Sequence, residues 1–379
     1  MRAADVPRTQ RAIIVTAATF GLTYGLSSPL IALELAEAGY SPLLIGLNAA
    51  MYAIGVLLIA PLLPRLAWRL GLPRLAGGAL GAAAVLLAAF PFSALLWPWF
   101  VLRAALGMAS ETLFVVSETW LNDTAQEQTR ARTMAVYVAT LSSGIALGPM
   151  VLVLAGRDGP APFLIGAGLA LAALALLLAA RPRAPRPEAP THAGLLPYLR
   201  LAPLAVAAAA MNAAIESAGL GLLPLYAMTL GWSEQSATLL LTVLLGGAIV
   251  LQLPIGWLGD RMPRRRLVLL LSALATVGAL VWPLALGHAW LAYPLLFAWG
   301  GAFVGIYTLM LAILGERFSG SDLAGAFGLV SIAWGLGALA GPVLGGWAMH
   351  VSAHGLPWFA ALVCGLFTLA AIVGASRQR

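Results

Sequence analysis

The chain has 379 residues, of which 61% are hydrophobic and only 9% charged, and its net charge of +7 comes from arginine, since lysine is absent. A soluble domain carries about 25% charged residues, so lipid must be the solvent for most of this chain, and little length is left for a soluble catalytic domain. The arginines fall in short loops between apolar runs, a placement that reports membrane orientation rather than nucleic-acid binding.

Twelve apolar runs follow one another, at 12–36, 42–64, 74–95, 97–121, 133–155, 161–180, 201–229, 235–258, 267–286, 289–314, 323–349 and 357–375. Each is close to the roughly 20 residues that a spanning helix needs. The first is too long for a signal-peptide core of roughly 7–15 residues and reads as a span. The expected class is an all-α membrane protein of 12 transmembrane helices. Cys364, the one cysteine, lies inside the last run, so no internal disulfide or thiolate metal site is expected. No metal or other cofactor is expected either.

Between the sixth and seventh runs lies Arg181-Pro-Arg-Ala-Pro-Arg-Pro-Glu-Ala-Pro190, too rich in proline to be helical. It predicts an N-terminal six-helix bundle over 1–180, a cytoplasmic linker over 181–200 and a C-terminal six-helix bundle over 201–379. All but two of the 21 arginines (Arg103 within a span and Arg157 in a loop) fall at the termini or in alternate loops on one side. By the positive-inside rule both termini face the cytoplasm, as an even number of spans requires.

The halves repeat each other. Glu37-Ala-Gly-Tyr-Ser41 matches Thr229-Leu-Gly-Trp-Ser233, and Pro64-Arg-Leu-Ala-Trp-Arg-Leu-Gly71 falls on Gly256-Trp-Leu-Gly-Asp-Arg-Met-Pro263 at the same offset. Gly144-Ile-Ala-Leu-Gly-Pro149 falls on Gly337-Ala-Leu-Ala-Gly-Pro342 one residue further on. Parallel repeats of this kind build secondary transporters with a substrate site near midplane.

On these residues the chain resembles the major facilitator superfamily over essentially its full length. Gly256-Trp-Leu-Gly-Asp260-Arg261-Met-Pro-Arg264-Arg265-Arg266 is similar to that family's signature loop, Gly-x-x-x-Asp-Arg-x-Gly-Arg-Arg. An aspartate at a helix end can cap a neighbouring helix N-terminus, and the adjacent arginine can bind a carboxylate across the interface between halves. Contacts that form in one conformation and break in the other make a gate, so Asp260 and Arg261 are gating candidates, with Arg69 and Arg132 beside them. The first copy departs from the pattern, with Pro64 and Trp68 where glycine and aspartate are expected. Gly144-x-x-x-Gly148-Pro149, and more fully Gly337-x-x-x-Gly341-Pro342-x-x-Gly345-Gly346, resemble a motif of antiporting members. Small residues four apart let helices approach closely, and proline bends them. That adds Gly148, Pro149, Gly341 and Pro342 to the gating set and leans toward export. Arg103-Ala-Ala-Leu-Gly107 resembles an element in which a buried arginine assists proton transfer, and Glu118-Thr-Trp-Leu-Asn122 resembles the mark of a bacterial exporter branch.

A charge at bilayer centre costs roughly 2.5–3.5 kcal/mol or more, so each one needs a reason. Proton-coupling candidates are Glu216 and Glu111, near the middle of the seventh and fourth spans, together with Arg103 and Glu118. The resemblance implies that the first, fourth, seventh and tenth helices line the path, so that Glu216 and Glu111 face one another across it. Arg103 is placed to pair with Glu34 or to hold an anionic substrate group, and the sequence leaves both open. Glu118 is placed to pair with Arg69 or Arg132. Phe20, Tyr24, Asn48, Phe114, Tyr137, Asn212, Trp299, Tyr307 and Trp334 are the substrate-binding candidates, and they favour a planar or amphipathic organic molecule. Trp97, Trp99, Trp232, Trp290 and Trp358, at span ends, read as an interfacial belt.

The expected function is thus a proton-coupled facilitator in the bacterial inner membrane, working by rocker-switch alternating access and favouring efflux by antiport of a small organic metabolite or drug. Uptake of a vitamin-like aromatic such as a flavin or nucleoside, and lipid flipping, are the alternatives. The partners expected are the small-molecule substrate, protons and membrane lipids, with no nucleic acid, and the protein is expected to be a monomer. No nucleophile–base pair, metal-ligand spacing or phosphate loop points to an enzyme.

Overall fold

The computed structural model describes residues 5–93, 96–124, 130–156, 159–180, 202–317 and 320–376. Among these, regular structure is entirely helical, the form in which every backbone polar group is satisfied without water. The α-helices are α1 (Asp5–Glu37), α2 (Pro42–Ile59), α3 (Leu63–Leu70), α4 (Leu72–Ala89), α5 (Leu96–Thr124), α6 (Arg130–Ala155) and α7 (Ala161–Ala180), then α8 (Pro203–Thr229), α9 (Glu234–Val250), α10 (Gln252–Arg261), α11 (Arg264–Ala285), α12 (Ala289–Arg317), α13 (Gly320–Val351) and α14 (Gly355–Ser376). Eleven helical stretches among the described residues are long and apolar enough to cross a membrane. The fifth run of the sequence corresponds to α6, whose described apolar part, Ala139–Ala155, is shorter. The linker expected at 181–200 lies outside the described residues.

Two of the expected runs are subdivided. The run at 42–64 breaks into α2, a 3-10 turn over Ala60–Leu62 and the start of α3, because Pro61 can neither donate to the ladder nor clear the preceding turn. The run at 235–258 breaks at Leu251 into α9 and α10, with Pro254 at the corresponding place. The connections α1–α2 and α8–α9 turn on Gly39 (φ 82°) and Gly231 (φ 91°), a left-handed backbone that a side chain disfavours. Both glycines sit inside the repeated Glu37–Ser41 and Thr229–Ser233 stretches.

The chain forms two compact units, Met1–Ile31 with Met51–Thr191, and Ala32–Ala50 with His192–Arg379. In the first, α4 packs against α5 and α7. A Cβ on Gly21 or Gly25 of α1 would strike the backbone of Leu141 or Ile145 in α6, and one on Gly144 or Gly148 of α6 would strike α1 at Ala18 or Gly25. Gly55 of α2 and Gly107 of α5 abut the backbones of Ala104 and Tyr52 in the same way. In the second unit, α8 packs on α13, α9 on α12, and α11 on α12 and α14. Gly337 and Gly341 of α13 touch the backbone of α8 at Ala210 and Ala214, while Gly247 of α9 and Gly300 of α12 touch Phe297 and Leu244. Removing the side chain at each crossing lets backbones meet, which is how helices associate where burial of apolar surface gives no drive. Large residues such as Leu58, Val85, Leu154, Leu253 and Leu284 stay exposed, as lipid-facing surfaces allow.

Candidate functional site

Most hydroxyls in α1 are satisfied within the helix: Thr16, Thr19 and Thr23 donate to the carbonyls of Ala12, Val15 and Thr19. Ser28 differs, because it accepts a hydrogen bond from Arg103 Nη2 at 2.9 Å. Arg103 Nη1 reaches Ser27 Oγ at 3.5 Å, the outer limit for such a bond. The guanidinium also lies over the Tyr52 ring, 5.3 Å from its centroid. Arg103 is only 2% exposed, and its Nε–H has no partner. Among the described residues of its own unit, no carboxylate pairs with it. The structure supplies neutral hydroxyls and a ring instead.

From that guanidinium a line of rings leads away through α1, α2 and α5. Tyr52 packs on Tyr24 with centroids 5.0 Å apart, Tyr24 stacks on Phe20 at 6.1 Å and 6°, and Phe20 meets Phe114 at 5.7 Å. Tyr24 and Tyr52 are each 7% exposed, while Phe20, Phe114 and the acids Glu111 and Glu118 are only partly buried. Glu118 forms no ion pair among the described residues, and the side chain of Arg132 lies outside them.

In the second unit, Glu216 is partly buried and its Oε2 accepts from Asn212 Nδ2 at 3.3 Å, one helical turn earlier. Asn212 is buried and its Oδ1 has no partner. No cation pairs with Glu216 among the described residues. Asn48, in the Ala32–Ala50 segment, is 1% exposed, with Nδ2 unpartnered.

Two other candidates from the sequence, Tyr137 and Trp299, are buried. Tyr137 is 1% exposed within a core cluster that includes Trp120 and Leu113; its hydroxyl bonds to Ser117 Oγ at 2.9 Å. Trp299, 3% exposed, donates from Nε1 to the Ala275 carbonyl at 2.8 Å and stacks on Phe303 at 4.9 Å. Tyr307 and Trp334 are partly buried.

At the α10–α11 turn, Asp260 pairs with Arg264 at 3.1 Å, and Arg261 lies 3.6 Å from the centroid of the Trp257 ring. Pro263 stands at the N-cap of α11 without a side-chain bond. The Asp260–Arg264 pair lies in a groove lined by Gly259, Pro263, Arg265 and Ile313. In the first copy Trp68 and Arg69 are exposed, and Gly71 makes the turn at φ 80°. Gly148 and Gly341 lie at the helix crossings described above, and Pro149 and Pro342 fall inside their helices.

The family model of the Major Facilitator Superfamily matches residues 13–241 and 205–378. The chain belongs to the major facilitator superfamily. It is 27% identical over 376 residues to the uncharacterized MFS-type transporter YfkF of Bacillus subtilis, covering 96% of this chain and 94% of that protein. It is 26% identical over 249 residues to the MFS-type transporter YcaD of Escherichia coli, covering 65% of this chain and 64% of that protein. Among solved structures, a mutant of the nucleoside transporter NupG superposes with a TM-score of 0.84 at 13% identity, covering 97% of this chain and 99% of that one. A D-xylose–proton symporter superposes with a TM-score of 0.75 at 17% identity, covering 97% of each chain. At those identities the likeness is one of fold. This facilitator is accordingly a multi-pass membrane transporter and not an enzyme.

Sequence reasoning missed Ser27, Ser28 and Tyr52, the groups that hold Arg103. A pair of serines ahead of Pro29 in the first span was the available signal, for hydroxyls inside a span need partners. It also missed the 3.0 Å bond between buried Tyr226 and His354 Nδ1.

Proposed function

We propose that this facilitator is a proton-coupled transporter of a small aromatic or amphipathic organic molecule. On this reading it works in the bacterial inner membrane as a monomer of twelve spans with cytoplasmic termini, in bundles 1–180 and 201–379 joined by the linker 181–200. The bundles rock between inward- and outward-open states, and efflux by antiport is the favoured direction.

The observation that carries the proposal is the Asn212–Glu216 pair. The amide N–H donates to the carboxylate, and the free amide oxygen can accept from the protonated acid after the amide turns over. Asn212 thus serves both protonation states, and among the described residues no cation holds Glu216 in its charged form. A carboxyl so placed within a span can take up and release a proton in each cycle, as intramembrane acids of transporters do. Glu111, in a span of the first unit, is the second acid of the proposed relay.

The test is transport by protein reconstituted in liposomes. Glu216→Gln should abolish accumulation driven by a pH gradient while leaving substrate exchange intact. Loss of both would make Glu216 a structural residue and end the coupling role.

A further inference from the structure

We propose that Arg103 is the anion seat of the substrate site, and that the transported molecule is an aromatic monocarboxylate. Its carboxylate docks on the open N–H groups of Arg103, and its ring lies along Tyr52, Tyr24, Phe20 and Phe114. The proposal rests on the transporter reading above and names the substrate class for it.

A guanidinium offers five N–H donors in a planar fork. Here two are used, one of them at 3.5 Å, and Nε–H is buried without any acceptor. Buried charges are normally paired with opposite charge, because an unpaired one is costly. Everything described around Arg103 is neutral: two serine hydroxyls and the Tyr52 face. A residue serving only to tie α5 to α1 has no need of a charge. In the second half the position related to Arg103 by the repeat is Leu296, fully buried one turn before Gly300, where α12 crosses α9 as α5 crosses α2. The fold closes that crossing with a leucine, so the arginine answers another requirement.

What that requirement is follows from the donors and their surroundings. Parallel N–H groups of a guanidinium match the two oxygens of a carboxylate. One fixed cation balances one negative charge. Arg65, Arg69 and Arg74 of this unit are exposed on α3 and α4, so among the described residues of this unit a dianionic phosphate finds no second cation beside Arg103. The rings that begin at the guanidinium give a flat apolar body its contact, each stacked pair adding to simple burial. Phe20 and Phe114, at the far end of the line, are the more open members.

Melting of the full-length protein in detergent tests this with matched probes: benzoate, nicotinate and indole-3-acetate against benzamide, nicotinamide and indole-3-acetamide. A ligand that binds the folded state raises its melting temperature with concentration. At least one carboxylate should raise the melting temperature of the wild type by several degrees while its amide does not. Arg103→Leu, which installs the residue the second half uses, and Arg103→Gln should melt unliganded at or above the wild-type temperature and lose the carboxylate shift. A shift that persists in either variant overturns the proposal. So does failure of both variants to fold, which would make Arg103 a packing residue. Amides that stabilise wild type and variants alike would overturn the carboxylate seat while leaving the transporter reading standing. Silence of every probe also overturns it, and the proton-coupling reading is then judged on Glu216→Gln alone.

Discussion

The crossing of α1 with α6 and that of α8 with α13 are built alike and equipped differently. In each, glycines four residues apart bring backbone against backbone, Gly144 and Gly148 in one and Gly337 and Gly341 in the other. The side chains that share the repeat do not correspond in chemistry. Phe20 and Tyr24 stand where Asn212 and Glu216 stand in the second half, Ser27 and Ser28 where Gly219 and Leu220 stand, and Arg103 where Leu296 stands. The fixed cation lies in one half and the acid–amide pair in the other. What the repeat preserves is close backbone approach, which depends on having no side chain; what it leaves free is the polar content, which changes without moving a helix.

The largest effects should come from filling the crossings. Gly25→Val and Gly341→Val put side-chain carbon into a facing backbone, and should cost at least about 3 kcal/mol by thermal unfolding, the upper end for overpacking. Gly219→Ala, with nothing within 4 Å of the new Cβ, should be neutral or stabilise by up to about 1 kcal/mol through helix propensity. Equal responses at these sites would break the claim that backbone approach is the shared element.

A smaller effect is expected at Tyr137, whose repeat partner is the buried Val330. Tyr137→Phe removes the bond to Ser117 and should cost about 1 kcal/mol in unfolding, with the carboxylate melting shift unchanged. A lost shift would place Tyr137 in the substrate site. The smallest change in stability should be at the two loops, where Asp260 occupies the place of Trp68. The pair with Arg264 is exposed on the aspartate side, at 73%, so Asp260→Asn should lie within about 0.5 kcal/mol of wild type. It should nonetheless shift the balance of inward and outward states seen by cysteine accessibility. An unchanged balance would remove Asp260 from the gate.

Much of this architecture was legible in the sequence because lipid imposes simple rules. Apolar runs of about 20 residues became helices, and the repeated Gly39 and Gly231 became equivalent turns. Proline-driven breaks after α2 and α9 were less visible, since Pro61 and Pro254 sit in runs whose apolar character continues across the break. The site was legible in type more than in partnership. Arg103, Glu216 and Asn212 stood out as costly groups inside spans, and Asn212 one turn before Glu216 is a spacing that a helix brings together. Ser27 and Ser28 did not stand out, because a hydroxyl can satisfy itself on its own helix, as Thr16 and Thr19 do. Tyr137 and Trp299 looked like lining residues and are packed in cores, since aromatic character alone does not say which helix face a ring occupies.

The edge-to-face indole pair in the second unit has an optical consequence. Trp282 and Trp299 lie with ring centroids 4.7 Å apart and planes at 68°, and Gly278 beside Trp299 leaves room for the ring. Two chromophores that close, held at a fixed oblique angle, share their excitation and split it into bands of opposite circular-dichroism sign. The protein thereby carries an unlabelled reporter of α11–α12 packing, a couplet that Trp282→Phe should extinguish and that heating should erase only when those two helices part.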